Sequence, residues 1–276
     1  MLFKAQRVAA IHDLSGFGRS SLTVVIPLFS KMNIQVCPLP TALLSTHGAF
    51  ENGTYLDLTD QMIPIMDHWD RLGLKFDAIY SGFLGSASQI DIVIDFIKRF
   101  SKNRPLVVVD PVMGDGGKIY SIIDSGIIDK MVKLVKNADI ITPNTTEAAA
   151  LLKRDYSPEL SVDEAKDLLK ELSLLGPNIV VLTSIHFKDG KGRYTGAYDK
   201  LSGEYFFDQC EYIPQDYSGT GDAFTTLLIG SLLKGYNLKQ SLSHSLGFIE
   251  SSLKFTYSMG IDPNDGINLE KPEINF

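Results

Sequence analysis

The residues best suited to chemistry form one short run, Gly219-Thr220-Gly221-Asp222, directly before an apolar segment with helical spacing. Glycine lets a backbone bend and lets an anion approach closely, and the free N–H groups and positive dipole end of a helix suit a phosphate. Asp222 would lie in the first helical turn. There it is either a favourable helix-start residue or a base that takes a proton from a hydroxyl attacking phosphorus. The run therefore predicts an anion site with a carboxylate beside it.

Two further polar motifs each follow a predicted strand. Asp110 comes directly after the apolar run 106–109, and Asn144 and Glu147 follow the run 139–142. Ligands of open α/β sheets bind beyond the carboxyl ends of strands, where Asp110 could hold a magnesium-bound water or simply start an Asp-Pro turn. Asn144 and Glu147 could form a capping box or contact a hydrated Mg²⁺ between nucleotide phosphates. Both alternatives stay open at each motif.

The segment 12–21 is a glycine-containing turn from the first predicted strand into the first predicted helix, and it does not fit the dinucleotide-binding pattern. Ser21 stands where the third glycine of G-x-G-x-x-G belongs, and no acidic residue closes a second strand about twenty residues later. No G-x-x-x-x-G-K-[ST] motif occurs, which excludes a P-loop NTPase. The five histidines form no H-E-x-x-H pair and no G-x-S-x-G elbow is present, which argues against zinc and serine hydrolases.

Composition and charge further limit the kinds of partner that the protein can have. The chain of 276 residues has a net charge of -7, with 44% hydrophobic and 21% charged residues, and no basic tract that could follow a nucleic acid. No apolar run approaches the ~20 residues that span a bilayer, and residues 1–10 are too short and too polar for a signal peptide. Cys37 and Cys210 form no C-x-x-C motif. These features predict a cytoplasmic protein without nucleic-acid or membrane partners.

Short apolar runs alternate along the chain with longer segments of helical periodicity. The predicted strands cover residues 7–12, 34–38, 78–81, 106–110, 139–142 and 178–183, and the predicted helices cover 20–32, 59–72, 87–100, 127–135, 145–153, 161–174, 221–234 and 238–257. This order is typical of βαβ units that build a parallel sheet covered on both faces. The segment 186–207 instead has the pattern of hairpins and predicts an antiparallel meander near one edge. No linker or repeat interrupts the chain, so a single domain over residues 1–276 is expected.

The order of these motifs resembles the ribokinase-like superfamily and, within it, the vitamin B6 kinases. The resemblance extends from about residue 7 to residue 257 and rests on Asp110–Asp115, Thr142–Asn144 with Glu147, Val181–Ser184 and Gly219–Asp222. It implies a three-layer αβα sandwich with a mostly parallel central sheet and an antiparallel edge meander. It also implies ATP and Mg²⁺ as cofactors, a monovalent cation such as K⁺ in many members, and a homodimer.

The resemblance also assigns roles on the nucleotide side. Asp222 corresponds to the catalytic base that deprotonates the acceptor's hydroxymethyl group, and the amides of Gly219, Thr220 and Gly221 to the anion hole for the transferred phosphoryl group. The resemblance further implies that Asp110, Asn144 and Glu147 organise Mg²⁺ and the ATP phosphates, with Asp110 and Glu147 reaching the metal largely through water. Thr183 and Ser184 fall where the family contacts nucleotide phosphate or ribose.

The acceptor side matches the family less closely. The resemblance places Asp13, Ser15, His47, Gly48 and Phe83 at the substrate-binding positions. Pyridoxal kinases often carry Ser, Thr and Tyr at the positions of Asp13, Gly48 and Phe83, whereas His47 matches the usual pattern. Asp13 could accept from the 3-hydroxyl of a pyridine ring or bind its nitrogen, as the Asp-bearing opening of hydroxymethylpyrimidine kinases is thought to do.

The activity that this combination implies is ATP-dependent transfer of a phosphoryl group to the 5'-hydroxymethyl group of pyridoxal, pyridoxamine or pyridoxine, directly and in line. The first alternative is a hydroxymethylpyrimidine kinase of thiamine synthesis, which would use the same nucleotide side and the same Asp222. A second alternative is a non-catalytic B6-binding or nucleotide-sensing protein. The intact Asp222 with its flanking glycines argues against that alternative, because a binding protein needs no base beside an anion site.

Overall fold

Strands and helices alternate through the part of the chain that the computed structural model describes, residues 5–121, 123, 125–211 and 213–274. The strands are β1 (Arg7–Phe17), β2 (Gln35–Thr46), β3 (Tyr55–Asp57), β4 (Ala78–Ser81), β5 (Leu106–Val109), β6 (Gly114–Asp115), β7 (Lys118–Ile119), β8 (Ile140–Ile141), β9 (Ile179–Ile185), β10 (Arg193–Asp199) and β11 (Glu204–Cys210). The helices are α1 (Leu22–Lys31), α2 (Thr59–Arg71), α3 (Ala87–Arg99), α4 (Ser125–Val135), α5 (Thr145–Leu152), α6 (Val162–Leu174), α7 (Thr220–Leu233) and α8 (Leu238–Ser258).

The chain divides into two compact units. Among the described residues, the first unit comprises 5–80, 99–105 and 213–274, and the second comprises 81–98 and 106–211. The expectation of a single domain over the whole chain stays a prediction. None of the helices in the described ranges is long and apolar enough to cross a lipid bilayer.

The first unit carries the strands in the order β4-β1-β2-β3. β1 and β2 pair in parallel from Arg7 with Gln35 to Phe17 with Thr46, and β3 pairs antiparallel with β2. Helix α7 packs against α1 and α8, and the nine residues 223–231 are all buried. Such a helix is apolar on every side because it lies inside the protein, where each buried Leu or Ile stabilises the fold by ~1.5–3 kcal/mol.

β1 and β2 are longer than the sequence pattern predicts. The predicted strands end at His12 and Pro38, whereas β1 runs to Phe17 and β2 to Thr46. The added segments contain glycine, proline and serine, which have low strand propensity, so pairing between the strands rather than local preference extends them. The register shifts between His12 and Leu14, which places Asp13 at an irregularity of the pair.

The second unit carries the strands in the order β11-β10-β9-β8-β5. β5, β8 and β9 are parallel, whereas β9, β10 and β11 form an antiparallel meander. The short hairpin β6–β7 follows β5. These pairings confirm the predicted fold class, a mostly parallel α/β sheet with an antiparallel edge. The antiparallel pairing of β3 with β2 was not expected, because all three residues of β3 are exposed and show no apolar alternation.

Candidate active site

The glycine-rich run lies at the start of α7, in the first unit. Gly219 precedes the helix with φ +79°, and a Cβ added there would lie 2.5 Å from the backbone oxygen of Arg19, so only glycine fits. Gly221 differs, because its φ is not in the left-handed region and an added Cβ would meet nothing within 4 Å. The prediction that both glycines bend the backbone is therefore wrong for Gly221, which instead leaves open space over the first helical turn.

Asp222 lies in that first turn, and its side chain is only 16% exposed. Its Oδ2 accepts the backbone N–H of Ser21 at 2.7 Å. Burial is the main cause that raises the pKa of Asp222 to about 7; the Ser21 N–H lowers the pKa, and the nearby charge of Asp13 contributes to raising it. A carboxyl group with this pKa is suited to accept a proton at neutral pH. Asp222 is therefore not a surface helix-start residue, and its role as the base stays a prediction.

Asp13 lies close to Asp222 through a shared neighbour. Its side chain is buried and accepts two hydroxyl hydrogen bonds, from Ser15 to Oδ2 at 3.1 Å and from Ser21 to Oδ1 at 2.5 Å. Burial raises the pKa of Asp13, and the two hydroxyl bonds lower it. Within the first unit the structure thus brings Asp13, Ser15 and Asp222 into one polar group around Ser21. Ser15 belongs to this group as a partner of Asp13.

His47 is buried in the loop after β2, and both of its ring nitrogens have partners. Nε2 lies 2.7 Å from the carbonyl oxygen of Asn264, and Nδ1 accepts the Ala49 N–H at 3.3 Å, which assigns the proton to Nε2. The ring also contacts Phe50 edge to face. The neighbouring Gly48 is exposed and an added Cβ would touch nothing. His47 therefore fastens this loop to the C-terminal segment, whereas Gly48 leaves room beside it.

In the second unit, Asn144 and Glu147 form the capping box that starts α5. The Asn144 side chain accepts the Glu147 N–H, and Glu147 Oε2 accepts the Asn144 N–H at 2.9 Å. Both residues also hold the loop that follows β5, because Glu147 Oε1 accepts the Met113 N–H at 3.0 Å and Asn144 Nδ2 donates to the Gly114 oxygen at 2.8 Å. The capping alternative is therefore correct, and the same side chains fix the Gly-rich loop.

Glu147 and Asp110 are the carboxylates predicted to act toward Mg²⁺, and both are buried. Burial raises the pKa of Glu147 to about 8, while the N–H groups of Asn144 and Met113 lower it. Among the described residues, no group of three or more His, Cys, Asp or Glu side chains is arranged to hold a metal. Mg²⁺ is usually held by one or two carboxylates together with substrate phosphates and several waters, and the assignment of Asp110 and Glu147 to a hydrated Mg²⁺ stays a prediction.

Thr183 and Ser184 lie at the end of β9, where the register with β10 shifts. The Thr183 N–H donates to the Pro143 oxygen at 2.9 Å, and Thr183 forms a parallel bridge with Asn144. Ser184 has φ +56°, a conformation that costs a side-chain-bearing residue ~1–3 kcal/mol and marks sites under functional constraint. These contacts place Thr183 next to the start of α5. Phe83, after β4, is partly buried.

Three residues in these groups were not predicted from sequence. Ser21 contacts both Asp13 and Asp222, Thr146 accepts the Gly117 N–H at 2.9 Å, and Met113 donates its N–H to Glu147. Ser21 did carry a signal, because it replaces the third glycine of a Gly-rich turn. Thr146 and Met113 act through a side chain in a helix and a backbone amide in a loop, which residue type alone does not mark.

The family model and the curated relative that match this chain are both named as kinases. The family model for phosphomethylpyrimidine kinase matches residues 68–267. The pyridoxal kinase PdxY of Paraburkholderia xenovorans is 24% identical over 266 residues, which cover 92% of this chain and 90% of that relative.

Two solved structures are similar over nearly the whole chain. A protein of Bacteroides thetaiotaomicron, provisionally named a phosphomethylpyrimidine kinase and crystallised in one form with pyridoxal, is 44% identical with a TM-score of 0.94, covering 97% of this chain and 94% of that chain. The pyridoxal kinase of Lactobacillus plantarum is 28% identical with a TM-score of 0.87, covering 97% of this chain and 95% of that chain.

Proposed function

The chain belongs to the phosphomethylpyrimidine kinase family and has the ribokinase-like fold, and from this premise we propose that it is a pyridoxal kinase. The proposed reaction is direct, in-line transfer of the γ-phosphoryl group of ATP to the 5'-hydroxymethyl oxygen of pyridoxal, and also of pyridoxamine or pyridoxine. One observation carries the proposal. Asp222 is a mostly buried carboxyl group with a pKa of about 7 in the first turn of α7, beside the open space that Gly221 leaves.

Asp222 acts as the base in this reaction. Its Oδ2 is occupied by the Ser21 N–H, so Oδ1 is the oxygen that takes the proton of the acceptor hydroxyl. As the acceptor oxygen forms its bond to phosphorus, the bond from phosphorus to ADP breaks, and Asp222 afterwards releases the proton to solvent. The amides of Gly219, Thr220 and Gly221 stabilise the negative charge on the transferred group, because positioning and charge stabilisation make up most of phosphoryl-transfer catalysis.

The residues of the second unit hold the nucleotide in this proposal. Asn144 and Thr183 lie together at the start of α5, and with Ser184, the next residue after Thr183, they are proposed to contact phosphate or ribose oxygens. Asp110 and Glu147 would hold a hydrated Mg²⁺ through water, and Glu147 also fixes the loop after β5 by accepting the Met113 N–H. Mg²⁺, when bound, would neutralise charge on the phosphates.

The choice of acceptor rests on the relatives and on Asp13. The Bacteroides protein was crystallised with pyridoxal, and the Lactobacillus and Paraburkholderia relatives are named pyridoxal kinases. Asp13 is a buried acceptor that can pair with a ring hydroxyl or a protonated ring nitrogen, and Ser15, His47 and Gly48 are proposed to bind the acceptor with it. Phe83, in the second unit, stays a predicted acceptor-binding residue. A hydroxymethylpyrimidine kinase is the alternative, because an aminopyrimidine also presents donors that a carboxylate accepts.

The decisive experiment measures ADP formation with ATP, Mg²⁺ and K⁺, in parallel with pyridoxal, pyridoxamine, pyridoxine and hydroxymethylpyrimidine. We expect turnover with the B6 vitamers that exceeds turnover with the pyrimidine, and a phosphate ester at the 5' oxygen of the product. The Asp222→Asn variant is the matched control and should lose ~10²-fold or more in kcat while still binding ATP. Turnover on the pyrimidine alone would move the protein to the alternative activity, and turnover on none would support a binding protein.

The dependence on K⁺, the homodimer and the cytoplasmic location that the resemblance implies stay predictions. Omitting K⁺ from the same assay tests the first, and sedimentation of the purified protein tests the second.

A further inference from the structure

Ser21 has a backbone conformation that a side chain rarely adopts. Its φ is 51° and its ψ is -128°, and the Thr23 N–H donates to the Ser20 oxygen at 3.2 Å across it. This is the second position of a turn of the II′ kind, where glycine is the usual residue because it has no Cβ. The sequence nevertheless places a serine there. Since such a conformation persists only where surrounding contacts hold it, the contacts of Ser21 indicate what it serves.

The backbone N–H and the side-chain hydroxyl of Ser21 each donate a hydrogen bond to a carboxylate. Its backbone N–H donates to Asp222 Oδ2 at 2.7 Å, and its hydroxyl donates to Asp13 Oδ1 at 2.5 Å. Hydrogen bonds to a carboxylate are short and about twice as strong as neutral ones, so the Asp13 bond is well suited to hold the side chain in one position. With the side chain held, the N–H of the same residue is fixed in direction. It then occupies Oδ2 of Asp222 and leaves Oδ1 for the proton.

We propose that Ser21 is a positioning residue that uses Asp13 as an anchor to aim its backbone N–H at Asp222, and so couples the acceptor-binding carboxylate to the base. The inference rests on the proposed function, in which Asp222 is the base and Asp13 faces the acceptor ring. It assigns the hydroxyl and the amide of one serine to different tasks. The hydroxyl maintains the unusual backbone, and the amide orients the base and stabilises its charged form.

The charged groups around Asp222 define what a pH measurement will report. Among the described residues, the ionisable side chains that face Asp222 are His12 and Asp13, both on β1, while Ser21, the residue before α1, donates its N–H. The Ser21 N–H favours the ionised form of Asp222, whereas the charge of Asp13 disfavours it. Losing the N–H bond while Asp13 is unchanged should therefore raise the pKa of Asp222.

Two substitutions at Ser21 separate the two tasks. Ser21→Gly removes the hydroxyl but adopts φ 51° without strain, so the N–H should still reach Asp222. Ser21→Ala removes the same hydroxyl but keeps a Cβ, so the backbone should relax and turn the N–H away. We expect Ser21→Gly to retain kcat within about threefold, with a raised KM for the acceptor because Asp13 has lost its partner. We expect Ser21→Ala to lose ~10-fold or more in kcat.

The pKa of the Asp222 carboxyl, followed by NMR in the unliganded protein, gives a readout that needs no turnover. It should rise by ~1 in Ser21→Ala and stay near the native value in Ser21→Gly. Ser20→Ala is the matched control, because the Ser20 hydroxyl is buried and has no hydrogen-bond partner among the described residues. Equal kcat and equal Asp222 pKa in the alanine and glycine variants would overturn the proposal.

The proposed function and the role of Ser21 can be rejected independently of each other. If the native protein phosphorylates none of the acceptors, the proposed function is wrong whatever the variants do. If the native protein is active and Ser21→Ala is as active as Ser20→Ala, the proposed function stands and Ser21 is not a positioning residue. Thermal unfolding of all three variants identifies any that fail to fold. If Ser21→Ala fails to fold, the Asp222 pKa is compared between Ser21→Gly and the native protein, and a clear difference between the two would overturn the proposal.

Discussion

Asp222 Oδ1 lies 3.9 Å from Nδ1 of His12, a distance too long for a hydrogen bond but short enough for a charge to act. His12 is fully buried, meets the ring of Tyr80 edge to face, and has its pKa lowered by burial to about 3. His12 is therefore neutral near pH 7. Asp222 gains no compensating positive charge from this histidine, so burial dominates and raises its pKa to about 7.

The pH dependence of catalysis should follow from this arrangement. Because Asp222 must be ionised to act as a base, kcat at saturating substrates should fall about tenfold per pH unit below the pKa of the group, near 7 in the unliganded protein. The measurement is kcat from pH 5 to 9, with protein stability checked at each pH. A single acidic limb near pH 4 would show instead that the base is an ordinary exposed carboxyl group.

Replacing Asp222 by asparagine should stabilise the folded protein, and the size of the effect should depend on pH. A pKa of about 7 in the folded state against an ordinary 3.8 means that the folded state holds the proton more tightly, so stability falls as pH rises from about 4 to 7. The full effect corresponds to at most ~4 kcal/mol. We expect Asp222→Asn to unfold at higher urea concentration than the native protein at pH 8 and at the same concentration at pH 3. Equal stability at pH 8 would contradict the burial of the charge.

The sequence predicts helices well where local signals coincide with tertiary structure. α2 and α8 begin at the predicted residues and end within one residue of the predicted ends, and the structure adds a capping box of Asn237 and Gln240 at the start of α8. The strands of the meander are likewise confirmed. These elements could be predicted because periodicity, caps and turn residues agree at each of them.

The elements that sequence reasoning missed depend on distant partners. The extension of β1 from Asp13 to Phe17 is stabilised by backbone pairing with β2, and β3 exists only as a partner of β2. Ser21 has the same cause, because its left-handed backbone is maintained by Asp13 and by Asp222, 201 residues away. No local pattern encodes such contacts. The motif resemblance located Asp13 and Asp222, but the residue between them required the structure.

The two glycines before Asp222 should respond oppositely to alanine. Gly219→Ala places a Cβ 2.5 Å from the Arg19 oxygen at φ +79°, and we expect it to lower the free energy of unfolding by ~2 kcal/mol or more. Gly221→Ala meets nothing and removes a flexible residue from a helix, so its stability should equal or exceed that of the native protein.

The catalytic rates of Gly219→Ala and Gly221→Ala provide a second comparison between the two glycines. The methyl group that Gly221→Ala introduces would occupy the open space over the first helical turn. We therefore expect kcat/KM to fall at least ~10-fold without loss of stability. Urea unfolding and steady-state kinetics on both variants provide the comparison. An active Gly221→Ala variant would show that no ligand approaches this turn closely.

Removing the charge of Asp13 should change two quantities at once. Asp13→Asn keeps an oxygen for Ser15 or Ser21 but not the negative charge, so we expect KM for the acceptor to rise ~10-fold while KM for ATP stays constant. Because the charge of Asp13 raises the pKa of Asp222, its loss should also move the acidic limb of kcat to lower pH. Ser15→Ala keeps the charge and serves as the control, since it should leave the limb in place. A change confined to KM for ATP would remove Asp13 from the acceptor pocket.

The final prediction concerns two glutamates that occupy the same position in two capping boxes. Glu147 in α5 and Glu164 in α6 each bond back to the N–H of the residue that caps their helix. Glu147 is buried and its second oxygen also accepts the Met113 N–H, whereas Glu164 is exposed and bonds Lys188. A substitution at each therefore removes the same local interaction, but only Glu147 additionally fixes the loop after β5.

Glu147→Gln should weaken nucleotide binding. The glutamine NH₂ group cannot accept a hydrogen bond, so one of the two N–H groups that Glu147 now satisfies is left buried and unpaired, at a cost of ~1–3 kcal/mol. We expect a lower unfolding midpoint and a KM for ATP raised several-fold, because the Gly114 loop loses its anchor. Glu164→Gln should change the unfolding midpoint little and leave KM for ATP unchanged, since its partners remain solvated. Equal changes in KM for ATP in the two variants would mean that Glu147 acts only as a helix cap.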